Sequence, residues 1–134
     1  MKLKRLVPIM NVSNLQESFT WFEKIGWTKG WEWGEPSDFG GVQNGELEIF
    51  LCENCQGSRS GPMPRHVEED DTGGIWMSWF LESTAAVDAA YQLALEQGVT
   101  VTRPPHDYPW NMREFHVRHP DGHTFRIGAE LQEE

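Results

Sequence analysis

A chain of 134 residues has room for one domain with its own hydrophobic core, without help from disulfides or a structural metal. Hydrophobic residues at 38 % and charged residues at 24 % fit a globular protein and exclude a disordered one, and no apolar run approaches the roughly 20 residues of a membrane span. Eleven Lys and Arg against 21 Asp and Glu leave a net charge of −10, which argues against a nucleic-acid partner and favours a cationic one.

The opening stretch is basic at Lys2, Lys4 and Arg5, but Pro8 and Asn11 break its apolar run too early for a signal peptide. It reads instead as the first strand of a cytoplasmic protein, over residues 6–12. Asn14 followed by Glu17 resembles a capping box, and Leu15, Phe19 and Phe22 form one helical stripe ended by Gly26. Strands are then predicted over 27–33, 38–43 and 46–52, separated by Gly34-Glu35-Pro36 and by the hairpin signal Asn44-Gly45. The same plan follows a second time. A strand over 75–82 leads to a cap at Ser83 and Thr84, then a helix stripe of Val87, Ala90, Tyr91 and Ala94 that Gly98 stops. Strands over 99–102, 113–118 and 123–128 complete it, the last two joined through Pro120-Asp121-Gly122. The chain is therefore one α+β domain, 1–134, of two βαβββ modules (about 5–53 and 74–130). A long linker over 54–73, rich in Gly, Pro, Ser and acids, joins them.

Seven Trp and seven Phe against two Tyr weight the aromatic content toward large flat faces, more than a core of this size absorbs. Cys52-Glu53-Asn54-Cys55 is a CxxC without a second pair at zinc spacing and follows a strand rather than opening a helix, so it reads as two reduced thiols. His116, His119 and His123 are read as surface residues, with an adventitious nickel or zinc patch as the alternative. No nucleophile elbow, P-loop or dinucleotide fingerprint is present.

Tyr108-Pro109-Trp110-Asn111-Met112-Arg113-Glu114-Phe115, followed by His119-Pro120-Asp121-Gly122-His123, resembles the closing segment of the bleomycin-resistance branch of the vicinal oxygen chelate superfamily. That superfamily also contains glyoxalases, extradiol dioxygenases and fosfomycin-resistance enzymes. Val7-Pro8-Ile9, Asn14-Leu15 and Trp21-Phe22 resemble the start of the same branch. Asn111-Met112 stands where one Gly is usual, and His119 and His123 replace Asp and Asn. The resemblance implies curled mixed sheets around a cleft. It also implies a homodimer that exchanges an N-terminal arm near Pro8.

Enzymes of the superfamily hold a divalent cation with four side chains, and the resemblance puts those positions at Val7, Glu48, Trp76 and Arg126. One carboxylate beside a guanidinium that cannot lose its charge is not a metal site. No metal, no cofactor and no catalytic residue are therefore expected. Strand alternation places Trp76, Ser78, Phe80 and Glu82 on the cleft face of the fifth strand, and Met77, Trp79 and Leu81 on the helix face. Arg126 faces the cleft from the last strand, with Glu48 as its first candidate partner. Trp31 and Trp33 share a face of the second strand, Glu48 and Phe50 share one on the fourth, and Trp110 lies at the rim. The ligand-binding set is thus Trp31, Trp33, Glu48, Phe50, Trp76, Ser78, Phe80, Trp110 and Arg126. Acidic candidates for a cationic ligand are Glu32, Asp38, Glu48, Glu82, Asp107 and the run Glu68-Glu69-Asp70-Asp71.

The implied function is non-catalytic sequestration of a bulky, planar, cationic small molecule, as in bleomycin resistance. The alternative is a metal-dependent glyoxalase, dioxygenase or thiol transferase.

Overall fold

Asn14 caps the first helix, its side chain accepting a hydrogen bond from the Glu17 amide at 3.0 Å. The helix, α1 (Leu15–Glu23), buries all three residues of the predicted stripe, Leu15, Phe19 and Phe22. Its chain then turns at Gly26, whose φ of 94° belongs to the left-handed region that favours glycine. This computed structural model describes residues 1–60 and 72–131. Most of the predicted linker, with the acidic run 68–71, lies outside the described residues. The chain divides into two units, Met1–Ser58 and Arg59–Glu134.

Unit one is a four-stranded sheet in the order β1-β4-β3-β2, built from β1 (Ile9–Val12), β2 (Thr28–Gly34), β3 (Ser37–Asn44) and β4 (Leu47–Glu53). β1 runs parallel to β4 and the other pairs are antiparallel, so the sheet is mixed. Met10, Val12, Val42, Ile49 and Leu51 form its core with the α1 stripe. The first strand starts at Ile9 rather than at residue 6. Ladder pairing begins where the Pro8 carbonyl accepts the Phe50 amide at 2.9 Å, and Leu6 before it is exposed.

Unit two repeats the plan with β5 (Trp76–Phe80), α2 (Thr84–Glu96), β6 (Thr100–Tyr108), β7 (Met112–Arg118) and β8 (Thr124–Glu130), in sheet order β5-β8-β7-β6. Ser83 caps α2 by accepting the Ala86 amide at 3.1 Å. β5 is parallel to β8 and the remaining pairs are antiparallel. Phe115, on the α2 side, meets Tyr91 edge-on at 5.5 Å, and Phe125 stacks on Trp79 at 4.3 Å. The strand predicted over 99–102 continues to Tyr108, past Pro104 and Pro105. It can do so because β6 is an edge strand, and its register slips between Val101 and His106, where the prolines have no N–H to give. No helix among the described residues is long and apolar enough to cross a membrane.

Candidate functional site

The face of the unit-two sheet opposite α2 carries a cavity of about 230 Å³. Ser78 and Phe80 of β5, Arg126 of β8 and Trp110 of the β6–β7 turn line it, four of the predicted residues in one place. Met112 and Glu114 of β7 and Gly128 of β8 also line it, as does Trp79 of β5, which alternation assigns to the helix face. Gly128 lies opposite Glu114 in the β7–β8 register, and a Cβ there would come within 2.8 Å of Glu114 Cβ and 2.9 Å of the Arg113 carbonyl. Glycine at 128 therefore lets the two strands close beneath the cavity.

Charge in this cavity is balanced. Arg126 Nη2 donates to Glu114 Oε1 at 2.8 Å and Oε2 at 3.2 Å, and Glu114 is only 3 % exposed. This corrects the expected Arg126–Glu48 pair. Glu114 precedes by two residues the His116 that registers with Arg126, so the two side chains are diagonal neighbours on one sheet face. Arg126 Nε is buried and has no acceptor among the described residues. Trp110 is stacked on Tyr108, ring centroids 4.5 Å apart and planes 14° from parallel, while remaining 55 % exposed. Phe80 is 70 % exposed. Trp76 meets His116 edge-on at 6.0 Å, outside the cavity lining.

Unit one collects a second group from the predicted set. Trp31, Phe39 and Phe50 make a three-ring cluster with centroid separations of 5.3, 5.3 and 5.6 Å. Glu48 lies against it, its Oε2 accepting from Trp31 Nε1 at 2.7 Å and its Oε1 from Arg5 Nη2 at 2.7 Å. Trp33 is left out of the cluster and is 71 % exposed. Two further acidic candidates have partners of their own. The Lys29 ammonium, followed by Ser37 and Gln16, holds the Glu32 carboxyl down to about 2, and Arg113 lowers that of Asp107.

Two other expectations are corrected. Cys52 and Cys55 are joined by a disulfide rather than present as reduced thiols. His116, His119 and His123 are buried, not on the surface. His119 Nδ1 accepts the Asp121 amide and His123 Nδ1 accepts the Ile75 amide, both at 3.0 Å, so these rings brace the β7–β8 turn. No three His, Cys, Asp or Glu side chains among the described residues are placed to hold a metal ion.

Sequence reasoning missed Glu114, Met112 and Arg5. Glu114 had a usable signal, since Glu114, His116 and Arg118 alternate with Phe115 and Val117 and so share a sheet face. Arg5 had none, because 43 residues separate it from Glu48.

A βαβββ unit occurring twice, each with a mixed four-stranded sheet, defines a class of paired-module α+β proteins. Within that class the chain belongs to the Glyoxalase/Bleomycin resistance protein/Dioxygenase superfamily, whose family model matches residues 2–127. Comparison with curated proteins found no match. Among solved structures it is similar to TioX from Micromonospora sp. ML1, with a TM-score of 0.72 at 14 % identity over 96 % of this chain and 99 % of that one. It is also similar to a bleomycin-binding protein complexed with bleomycin, with a TM-score of 0.67 at 12 % identity over 98 % and 100 % of the two chains. A third similar structure is the fosfomycin resistance protein FosX from Listeria monocytogenes, with a TM-score of 0.68 at 15 % identity over 98 % and 96 %. At such identities the likeness shows the fold alone.

The metal that enzymes of this superfamily hold finds poor donors here. Of Val7, Glu48, Trp76 and Arg126, only Glu48 offers a ligand atom suited to a divalent cation, and a guanidinium and an indole N–H already occupy its oxygens. Arg126 carries a permanent positive charge. This donor set does not fit the ion.

Proposed function

We propose that the protein binds and sequesters a planar small molecule without catalysing a reaction on it. The observation that carries this reading is the unit-two cavity, with Trp110, Phe80 and Met112 as its apolar walls and the Glu114–Arg126 pair as its polar side. Its volume suits one flat ring system, and the rest of a bulkier ligand would lie outside it. Trp110, already stacked on Tyr108, presents its other face at little conformational cost. The Arg126 side chain, 36 % exposed and lining the cavity, would donate to a carbonyl or similar acceptor on the ligand. Among the residues lining the cavity, the only ionisable groups, Glu114 and Arg126, neutralise each other, and Ser78 has neither of them as a hydrogen-bonded base.

The bleomycin complex of a similarly folded protein makes that antibiotic the first ligand to try. Action in the cytoplasm as an arm-exchanged homodimer completes the proposal. The test is a titration with metal-free bleomycin, followed by tryptophan fluorescence. Saturable quenching at one ligand per chain is expected. Trp110→Ala should weaken it about tenfold or more, the equivalent of losing one aromatic contact of about 1.5 kcal/mol. A flat titration discards bleomycin and moves the search to other planar antibiotics and metabolites. Stoichiometric Ni, Zn, Mn or Fe in the purified protein would overturn the non-catalytic reading.

A further inference from the structure

We infer that the Cys52–Cys55 pair is a reversible thiol–disulfide exchange site, opened and closed by small thiols or dithiols that attack at Cys55. The bond lies in unit one, where β4 leaves its sheet, and joins residues only three apart in sequence. Closing so short a loop removes less entropy from the unfolded chain than a long-range bond would, so it makes a poor staple for the fold.

The two sulfurs are not equivalent. Cys52 is fully buried, whereas Cys55 is exposed. An incoming thiolate therefore attacks Cys55 Sγ, and the electron pair of the S–S bond leaves on Cys52 Sγ. The Gln56 amide donates to that sulfur at 3.2 Å and meets the charge that collects there. Once protonated, the Cys52 thiol has an acceptor in reach, Gln56 Oε1 at 3.3 Å. The buried half of the pair thus has a partner in both states without movement of the chain. With a dithiol reductant no further reactant is needed. Its first thiolate forms a mixed disulfide with Cys55, its second attacks the reductant sulfur of that bond, and Cys55 leaves as a thiolate. The reductant ends as a disulfide, and its two electrons and two protons end on the protein sulfurs.

Closure is prepared by hydrogen bonds that do not involve the sulfurs. Asn11, the register partner of Cys52 on β1, is buried, and its Nδ2 donates to the carbonyls of Cys55 at 3.1 Å and Gly57 at 2.9 Å. The Asn54 amide donates to the Val12 carbonyl at 2.9 Å. These contacts hold Cys55 beside the end of β4 when the bond is open, and Cα atoms 5.7 Å apart stand within the ordinary span of a disulfide. Cys55 therefore keeps a high effective concentration next to Cys52, and an oxidant closes the bond again. The inference does not rest on the unit-two cavity or on a ligand bound there.

The test uses the native chain, folded and without denaturant. Dithiothreitol is added, the reaction is stopped by alkylation, and labelled thiols are counted by mass. Both cysteines should be labelled while the indole N–H peaks of a ¹H–¹⁵N spectrum keep their dispersion. Oxidised glutathione should then restore the unlabelled disulfide. Trapped early in that step and located by peptide fragmentation, glutathione should sit on Cys55 at least about tenfold more often than on Cys52. Asn11→Ala should need a glutathione mixture about tenfold more oxidising for half closure, the scale of two lost hydrogen bonds. Labelling that appears only after unfolding would overturn the proposal. So would a reduced, folded chain that oxidised glutathione fails to close, glutathione spread equally over the two sulfurs, or an unchanged midpoint in a folded Asn11→Ala chain. The readings on the native chain stand whether or not that variant folds.

Discussion

His119 shows how far one buried side chain can control the response of the fold to pH. Burial, and next the charge of neighbouring His123, pushes its imidazole down to about 3 against the opposing pull of Asp121. The unfolded chain takes up that proton near the ordinary value of 6.5, and the folded chain does not. Its contribution to stability is therefore whole above that value and is lost as pH falls from there toward 3. Urea unfolding should show stability falling, by on the order of 1 kcal/mol per pH unit, between about pH 6 and pH 5, where most carboxylates stay ionised. His119→Asn, which keeps an acceptor near the Asp121 amide, should flatten that slope. An unchanged slope in the variant would rule His119 out as its source. Arg126 makes the complementary point. Its charge and its place on a sheet face are legible in the sequence, but the identity of its partner is not. Register puts Glu114 diagonally across from it, and Glu48 is instead claimed by Arg5 and Trp31.

Local signals predict the elements best. α1 starts at Asn14 and buries Leu15, Phe19 and Phe22 because capping and a 3.6-residue period act within a few residues of each other. Asn14→Ala should cost about 1 kcal/mol, read as a lower midpoint in chemical denaturation, with the same slope. No change in midpoint would mean that packing of the apolar stripe alone holds the helix start. β6 is the counter-example. Pro104-Pro105 looks like a strand terminator, yet the strand runs on to Tyr108, because the edge position in the sheet asks for fewer N–H donors. The burial of His116, His119 and His123 was equally hard to foresee. A histidine looks the same in sequence whether it meets water or accepts a backbone amide, as His119 and His123 do here.

At the scale of the whole molecule, the proposed stoichiometry can be measured directly. We expect a homodimer in solution, with light scattering at micromolar concentration giving twice the chain mass of 15.4 kDa. A monomeric mass would remove arm exchange near Pro8 from the account. The paired modules, the superfamily, the helix stripes and an excess of flat aromatic residues could all be read from the sequence, because each rests on local periodicity or on a contiguous motif such as residues 108–123. Tertiary structure alone decided which of those aromatics meet. It gathered Trp110, Phe80 and Met112 around the Glu114–Arg126 pair, grouped Trp31 with Phe39 and Phe50, left Trp33 aside, and set Arg5 on Glu48. The physical reason is separation along the chain. A helix stripe is settled within two turns, whereas a charge pair or a ring cluster depends on strand register set by every residue of the sheet.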